Sequence, residues 1–162
     1  GDGGVSVSFW VQGCPFHCSG CHNPESWDYE GGKELPPDYV EQVIKALGKN
    51  SIQRNLSILG GEPLCERNLG IVSNLVTQVK AVYPNIKVYV WTGYTLEQLE
   101  KRSTKESELR EILDCTDVLI DGLYEESLRD VRLKLRGSSN QRIFIKRGRQ
   151  FYEDSSMDSI SR

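Results

Sequence analysis

Three of the chain's five cysteines, Cys14, Cys18 and Cys21, fall within eight residues and directly follow a stretch of alternating character. Val5, Val7, Phe9 and Val11 take one side of that stretch and Ser6, Ser8, Trp10 and Gln12 the other, the period of a half-buried strand. A C-x3-C-x2-C loop at a strand end lets three thiolates turn inward onto one inorganic centre. Gly13, Pro15 and Gly20 help the chain turn sharply, and Gly20 also lets backbone come close to a ligand. The cysteine count is odd, and the start GDGGVSVSFWVQ lacks the basic-then-apolar layout of a signal peptide. A secreted disulfide framework therefore does not explain the cluster of thiols. Three ligands leave one corner of a four-iron cubane open to an exogenous molecule, as catalytic metal sites keep a vacant position. On spacing alone a structural zinc site of Cys3His type stays open, with His22 or His17 as its fourth ligand.

At 162 residues, 38% of them hydrophobic, the chain can bury one substantial core and reads as a single domain over residues 1–162. Its first residue is not Met, and a short native segment is expected to precede it. Val40, Val43, Ile44 and Leu47, between a candidate N-cap at Asp38 and a stop at Gly48, predict a helix. Residues 55–59 predict a strand that ends on Gly60-Gly61-Glu62-Pro63, and Val72, Leu75, Val76 and Val79 predict a second helix from about Asn68. Residues 86–91 predict a strand that ends on Thr92-Gly93-Tyr94. Thr95 and Gln98 have capping-box spacing, and Leu96, Leu99, Leu109, Ile112 and Leu113 continue helically, as one broken helix or two. Residues 117–121 predict another strand and 142–145 a last one, while the Ser- and Asp-rich tail from Tyr152 reads as frayed.

Alternating strands and helices predict an α/β fold, a parallel sheet or open barrel with right-handed crossovers. The cysteine loop, GGEP, TGY and Asp121-Gly122 each follow the C-terminal end of a strand, and in parallel α/β folds those ends share the rim where ligands bind. Paired glycines permit close approach to a ligand, and Glu62 is placed to accept hydrogen bonds from an ammonium. Beside an open-cornered cluster that suits S-adenosylmethionine, whose amino-acid end offers a chelate for the vacant iron and an ammonium. A formal charge of -3 disfavours a general nucleic-acid or anionic-membrane binder, and no apolar run is long enough to span a bilayer. A soluble, cytoplasmic protein is expected. Cys65, just after GGEP, is expected to be open to oxidation, and Cys115 to be a small buried hydrophobe. Trp10, Trp27 and Trp91 are expected to be packing residues. Arg129, Arg132, Lys134 and Arg136 read as a solvated face or a partner contact, and Asp121 as a turn or cap residue or a member of the rim.

The segments GCPFHCSGCHNPESW, LSILGGEPL, VYVWTGYTLEQL and DVLIDGLYEESLRDVRLKLRGSSNQRI, in that order, resemble the radical S-adenosylmethionine superfamily. Within it they are similar to the activating proteins of class III anaerobic ribonucleotide reductases. Many superfamily members carry an aromatic residue before the third cysteine; Gly20 stands there, which matches the narrower group. The segment after Ile145 matches neither. The resemblance implies a small partial (β/α) barrel of mainly parallel strands. It implies a 4Fe-4S cluster on Cys14, Cys18 and Cys21 whose open iron is chelated by S-adenosylmethionine. An electron from a flavodoxin-like or other low-potential donor would then release a 5'-deoxyadenosyl radical, which takes a hydrogen from a glycine of the reductase large subunit. It implies adenine contact from backbone at Gly20, Cys21 and His22, methionyl contact from Gly60, Gly61 and Glu62, and a place for Thr92 near the ribose. An activase of the pyruvate formate-lyase type is the nearest alternative, and a zinc-stabilised binding module the alternative of another class.

Overall fold

A computed structural model of the protein describes residues 5–21 and 24–154. The strands are β1 (Ser6–Val11), β2 (Asn55–Gly60), β3 (Val88–Trp91), β4 (Val118–Asp121), β5 (Arg142–Arg147) and β6 (Gln150–Glu153). They form one sheet in chain order, with β1 to β4 parallel and β5 and β6 antiparallel. Parallel neighbours need a crossover. Here α1 (Tyr39–Leu47) joins β1 to β2, α2 (Leu69–Val82) joins β2 to β3, and the pair α3 (Leu96–Ser103) and α4 (Ser107–Cys115) joins β3 to β4.

When strands are added in sequence by crossovers of one hand, every helix falls on the same side of the sheet. The core has that form. Leu56, Ile58, Val88, Val90, Leu119 and Phe144 of the sheet pack with Val43 and Leu47 of α1, Val72, Leu75, Val76 and Val79 of α2, Leu99 of α3, and Leu109, Ile112 and Leu113 of α4. The helix positions predicted from periodicity are buried, except Ile44, which is half-buried against the same core. Opposite lies a smaller cluster of Val118, Ile120 and Ile143 with Tyr89, Trp91, Ile145 and Leu135, to which no helix contributes. Leu135 belongs to the loop between β4 and β5, and its carbonyl accepts from Trp91 Nε1 at 2.7 Å.

Several expectations are corrected. Trp10 is not a packing residue: it pairs in register with Leu59 on the helix-free side of an edge strand and is 56% exposed. The tail is not frayed from Tyr152. After a turn at Gly148, Tyr152 pairs with Ile145 and Phe151 with Lys146 in a closing hairpin; residues 155–162 lie outside the described residues. The helical region after Thr95 is two helices, and its capping box is formed in full. Among the described residues no helix is long and apolar enough to cross a membrane.

Candidate active site

Because β1 to β4 are parallel, their C-terminal ends open onto one edge, and the four unusual motifs gather there. The cysteine loop is closed at its base by paired backbone bonds. Gly13 N–H donates to Ser26 O at 2.6 Å and Cys14 N–H to Trp27 O at 3.1 Å, while Gln12 Nε2 donates to Glu25 O and Asp28 O at 2.8 and 2.7 Å. Inside the loop Cys21 N–H donates to Cys18 O at 3.1 Å. Cys14, Cys18 and Cys21 are free thiols, each partly exposed. Burial pushes the Cys14 and Cys18 thiols up, and backbone donors oppose it: Phe16 and His17 for Cys14, Tyr124 for Cys18. Backbone N–H groups aimed at sulfur are what cluster thiolates accept, so the donor set suits iron–sulfur ligation.

His17 stacks on Trp27, with ring centroids 4.6 Å apart and planes within 11°. Among the described residues no three His, Cys, Asp or Glu side chains close on a single metal ion. Thiolates on separate irons of a cubane stand further apart than ligands sharing one ion. His22 lies outside the described residues.

Gly60 and Gly61 are needed here for a chain-to-chain contact. A Cβ at Gly61 would strike Gly13 O and Ser26 O, and one at Gly60 would strike the Val11 backbone. Their smallness lets the end of β2 press against the base of the cysteine loop, where Gly61 N–H donates to Val11 O at 2.9 Å and Glu62 N–H to Gly13 O at 2.7 Å. Gly20 has φ +75°, and a Cβ there would strike the Glu126 carboxylate from the loop after β4. Phe16 of the cysteine loop packs edge-on to Tyr94 at 4.8 Å and lies where a Cβ on Gly93 would sit.

Glu62 is 1% exposed. Its Oε2 accepts from Leu64 N–H at 2.9 Å and Thr92 Oγ1–H at 2.6 Å, and its Oε1 accepts from Gly93 N–H at 2.7 Å. Burial is the main cause that raises its pKa from 4.5 to about 7, against the pull of Thr92 and of the Gly93 and Leu64 N–H groups. One carboxylate thus ties the ends of β2 and β3 together. Thr92, also buried, accepts from Tyr94 N–H at 3.1 Å, so its hydroxyl is already engaged on both sides.

Sequence reasoning missed Asn68. This buried residue preceding α2 donates through Nδ2 to Gln12 O at 3.0 Å, to Glu62 O at 2.9 Å and to Cys65 Sγ at 3.4 Å. Its only signal was an amide at a helix start, six residues after Glu62. Cys65 is not open to oxidation: it is 3% exposed, beneath Tyr29, whose hydroxyl points to its sulfur at 3.7 Å. Cys115 is only partly buried, at the edge of the main core. Asp121 is fully buried as a structural anchor, accepting from Leu96 N–H at 2.7 Å and from Arg142 Nε and Nη2 at 3.1 and 2.6 Å. In the basic run, Arg132 pairs with Asp130 at 3.0 Å and Arg136 donates to Gln141 O at 2.9 Å, so these two cations support their own loop.

A family profile described as "4Fe-4S single cluster domain" matches residues 1–144. The anaerobic ribonucleoside-triphosphate reductase-activating protein of Pasteurella multocida is 37% identical over 142 residues, covering 87% of each chain. Its counterpart from Enterobacteria phage T4 is 37% identical over 87% of this chain and 84% of its own, and that of Escherichia coli K12 is 33% identical over 85% and 86%. No solved structure gives a significant match.

Proposed function

The chain belongs to the family of anaerobic ribonucleoside-triphosphate reductase-activating proteins and carries its 4Fe-4S domain, and we infer from this that it is the activase that installs the glycyl radical on an anaerobic ribonucleotide reductase. When bound, the cluster supplies the electron that splits the carbon–sulfur bond of S-adenosylmethionine and so provides the radical that takes a hydrogen from the reductase glycine. Cys14, Cys18 and Cys21 would hold three irons of the cluster and leave the fourth open to the amino and carboxylate groups of the cofactor. Glu62 accepts from an N–H of that amino group, and backbone at Gly60 and Gly61 borders the methionyl end. Backbone at Gly20, Cys21 and His22 borders the adenine.

The observation that carries this reading is the bonding of the cysteine loop to the GGEP turn, Glu62 N–H to Gly13 O, which puts thiolates and carboxylate beside each other on one strand-end rim. We read β1 to β4, parallel and in chain order with helices on one side, as a partial (β/α) barrel. Its open side leaves the rim accessible to a second protein, which would then exclude water and oxygen. One domain suffices for this, with a flavodoxin-like donor supplying the electron in the reducing cytoplasm.

Anaerobic reconstitution with the reductase tests it. The parent gives 5'-deoxyadenosine and a glycyl radical signal in electron paramagnetic resonance, and Cys18→Ala gives neither. An unchanged yield of 5'-deoxyadenosine from that variant would refute the assignment.

A further inference from the structure

A carboxylate has about four lone-pair positions. On Glu62, Oε2 fills two, with Leu64 N–H and the Thr92 hydroxyl, and Oε1 fills one, with Gly93 N–H. One position on Oε1 is left. The Thr92 hydroxyl has a single proton, and its direction is fixed from the other side, because Tyr94 N–H can only donate and occupies an acceptor position on Oγ1. That leaves the proton for Glu62, at the short distance of 2.6 Å typical of a hydroxyl donating to a carboxylate. Thr92 is itself anchored in the sheet, its N–H donating to Ile120 O at 2.9 Å. The hydroxyl is therefore a fixed post rather than a free rotor.

We propose that Thr92 is a positioning residue that acts through Glu62, its hydroxyl locking Oε2 so that the remaining lone pair of Oε1 is held for an N–H of the bound cofactor's amino group. This rests on the reading that Glu62 accepts from the cofactor's amino group. Thr92 then need not touch the nucleoside. Without this post the carboxylate keeps only Leu64 N–H on Oε2 and Gly93 N–H on Oε1, its last torsion is held less tightly, and Oε1 is presented over a wider range of directions.

The test uses reconstituted protein with S-adenosylmethionine as the probe, its dissociation constant read by equilibrium dialysis. Iron content, the visible spectrum of the cluster and thermal unfolding are read in parallel. Thr92→Val keeps the shape and removes the hydroxyl. It is expected to weaken cofactor binding about tenfold while iron content and spectrum stay at the parent's values. Thr92→Ser, which keeps the donor, recovers binding to within about twofold. Thr92→Cys, a weak donor, falls between them and serves if the valine variant does not fold. Parent-like binding by Thr92→Val, or by Thr92→Cys in its place, together with weakened binding by Glu62→Gln, overturns the positioning role and leaves the Glu62 reading standing. Parent-like binding by both Thr92→Val and Glu62→Gln overturns the Glu62 reading itself. Failure of Thr92→Ser to recover binding also overturns the proposal, since it would show that bulk rather than the hydroxyl matters.

Discussion

A carboxylate placed under a rim of backbone donors, with no cation bonded to it, holds its proton more tightly than one in water. Glu62 is such a group: the cation whose charge lowers its pKa, Arg102, is committed to Glu106 at 2.8 Å. Its pKa lies at about 7 in the folded chain against an ordinary 4.5, so the native state binds the proton more strongly than the unfolded state does. The contribution to stability is then full below about pH 4.5 and is lost as pH rises through about 7. At about 1.4 kcal/mol for each pH unit of that window, the loss is roughly 3 kcal/mol. Urea unfolding of the cluster-free, reduced chain at pH 5 and pH 8 measures it. Glu62→Gln lowers stability at both values, because an amide cannot accept from three donors, but it removes most of the difference between them. An equal difference in parent and variant would show that another group carries the slope. None of this was legible in the word GGEP. The sequence shows that a carboxylate follows two glycines, but its partners Thr92 and Gly93 lie some thirty residues away and meet it only once β2 and β3 are paired. The glycines carry a requirement that the word does not show: their lack of side chains permits the close approach of Gly13 and Val11.

Elements are set by shorter-range rules, and there the sequence says more. Val72, Leu75, Val76 and Val79 repeat at helical spacing, and all four are fully buried in α2. Thr95 and Gln98 carry capping-box spacing, and both bonds of the box are present. What opens α3 from below is less local. The first N–H groups of a helix have no partner within it, and the N–H of Leu96 finds one in Asp121, at the end of β4. Asp121 is in turn held by Arg142 of β5, which also reaches Glu97 at 2.6 Å. Removing one member of a buried ion pair costs about 3–5 kcal/mol. Here Arg142 keeps Glu97 and its side chain is 31% exposed, so Asp121→Ala should cost about 2 kcal/mol and Asp121→Asn, which preserves the acceptor for Leu96, about half of that. Chemical unfolding checks the order of the two. Equal losses would mean that the helix-start bond contributes nothing. The hairpin of β5 and β6 escaped sequence reading because Gln150-Phe151-Tyr152-Glu153 is a short edge strand, mostly exposed, and only its pairing with residues 144–147 identifies it.

At the scale of the whole molecule, stability and chemistry occupy different parts. The main core lies between the sheet and its single helix layer, built from residues on α1 to α4 and β1 to β5, and none of its fully buried side chains belongs to the cysteine loop. That loop is attached through backbone bonds at its base, through Gly13, Cys14 and Glu62, and through packing of Phe16 on Tyr94. In small metal-stapled modules, by contrast, metal binding is the folding energy and chelation unfolds the chain. Removing iron from this protein under reducing conditions should therefore leave its far-ultraviolet circular dichroism unchanged and lower its midpoint of thermal unfolding by no more than a few degrees. Hydrogen exchange should speed up within residues 13–21 and 25–27 and at the neighbouring N–H groups of Glu62 and Gly93, while the N–H groups of β2, β3 and α2 keep their protection. Collapse of the whole chain on chelation would contradict this and would mean that the cluster is structural as well as catalytic. The predicted separation also fits the work that the rim must do. On the proposed reading, a site that accepts a small cofactor and then another protein's glycine gains from loops that can adjust, provided the sheet that sets the positions of β1 to β4 does not move with them.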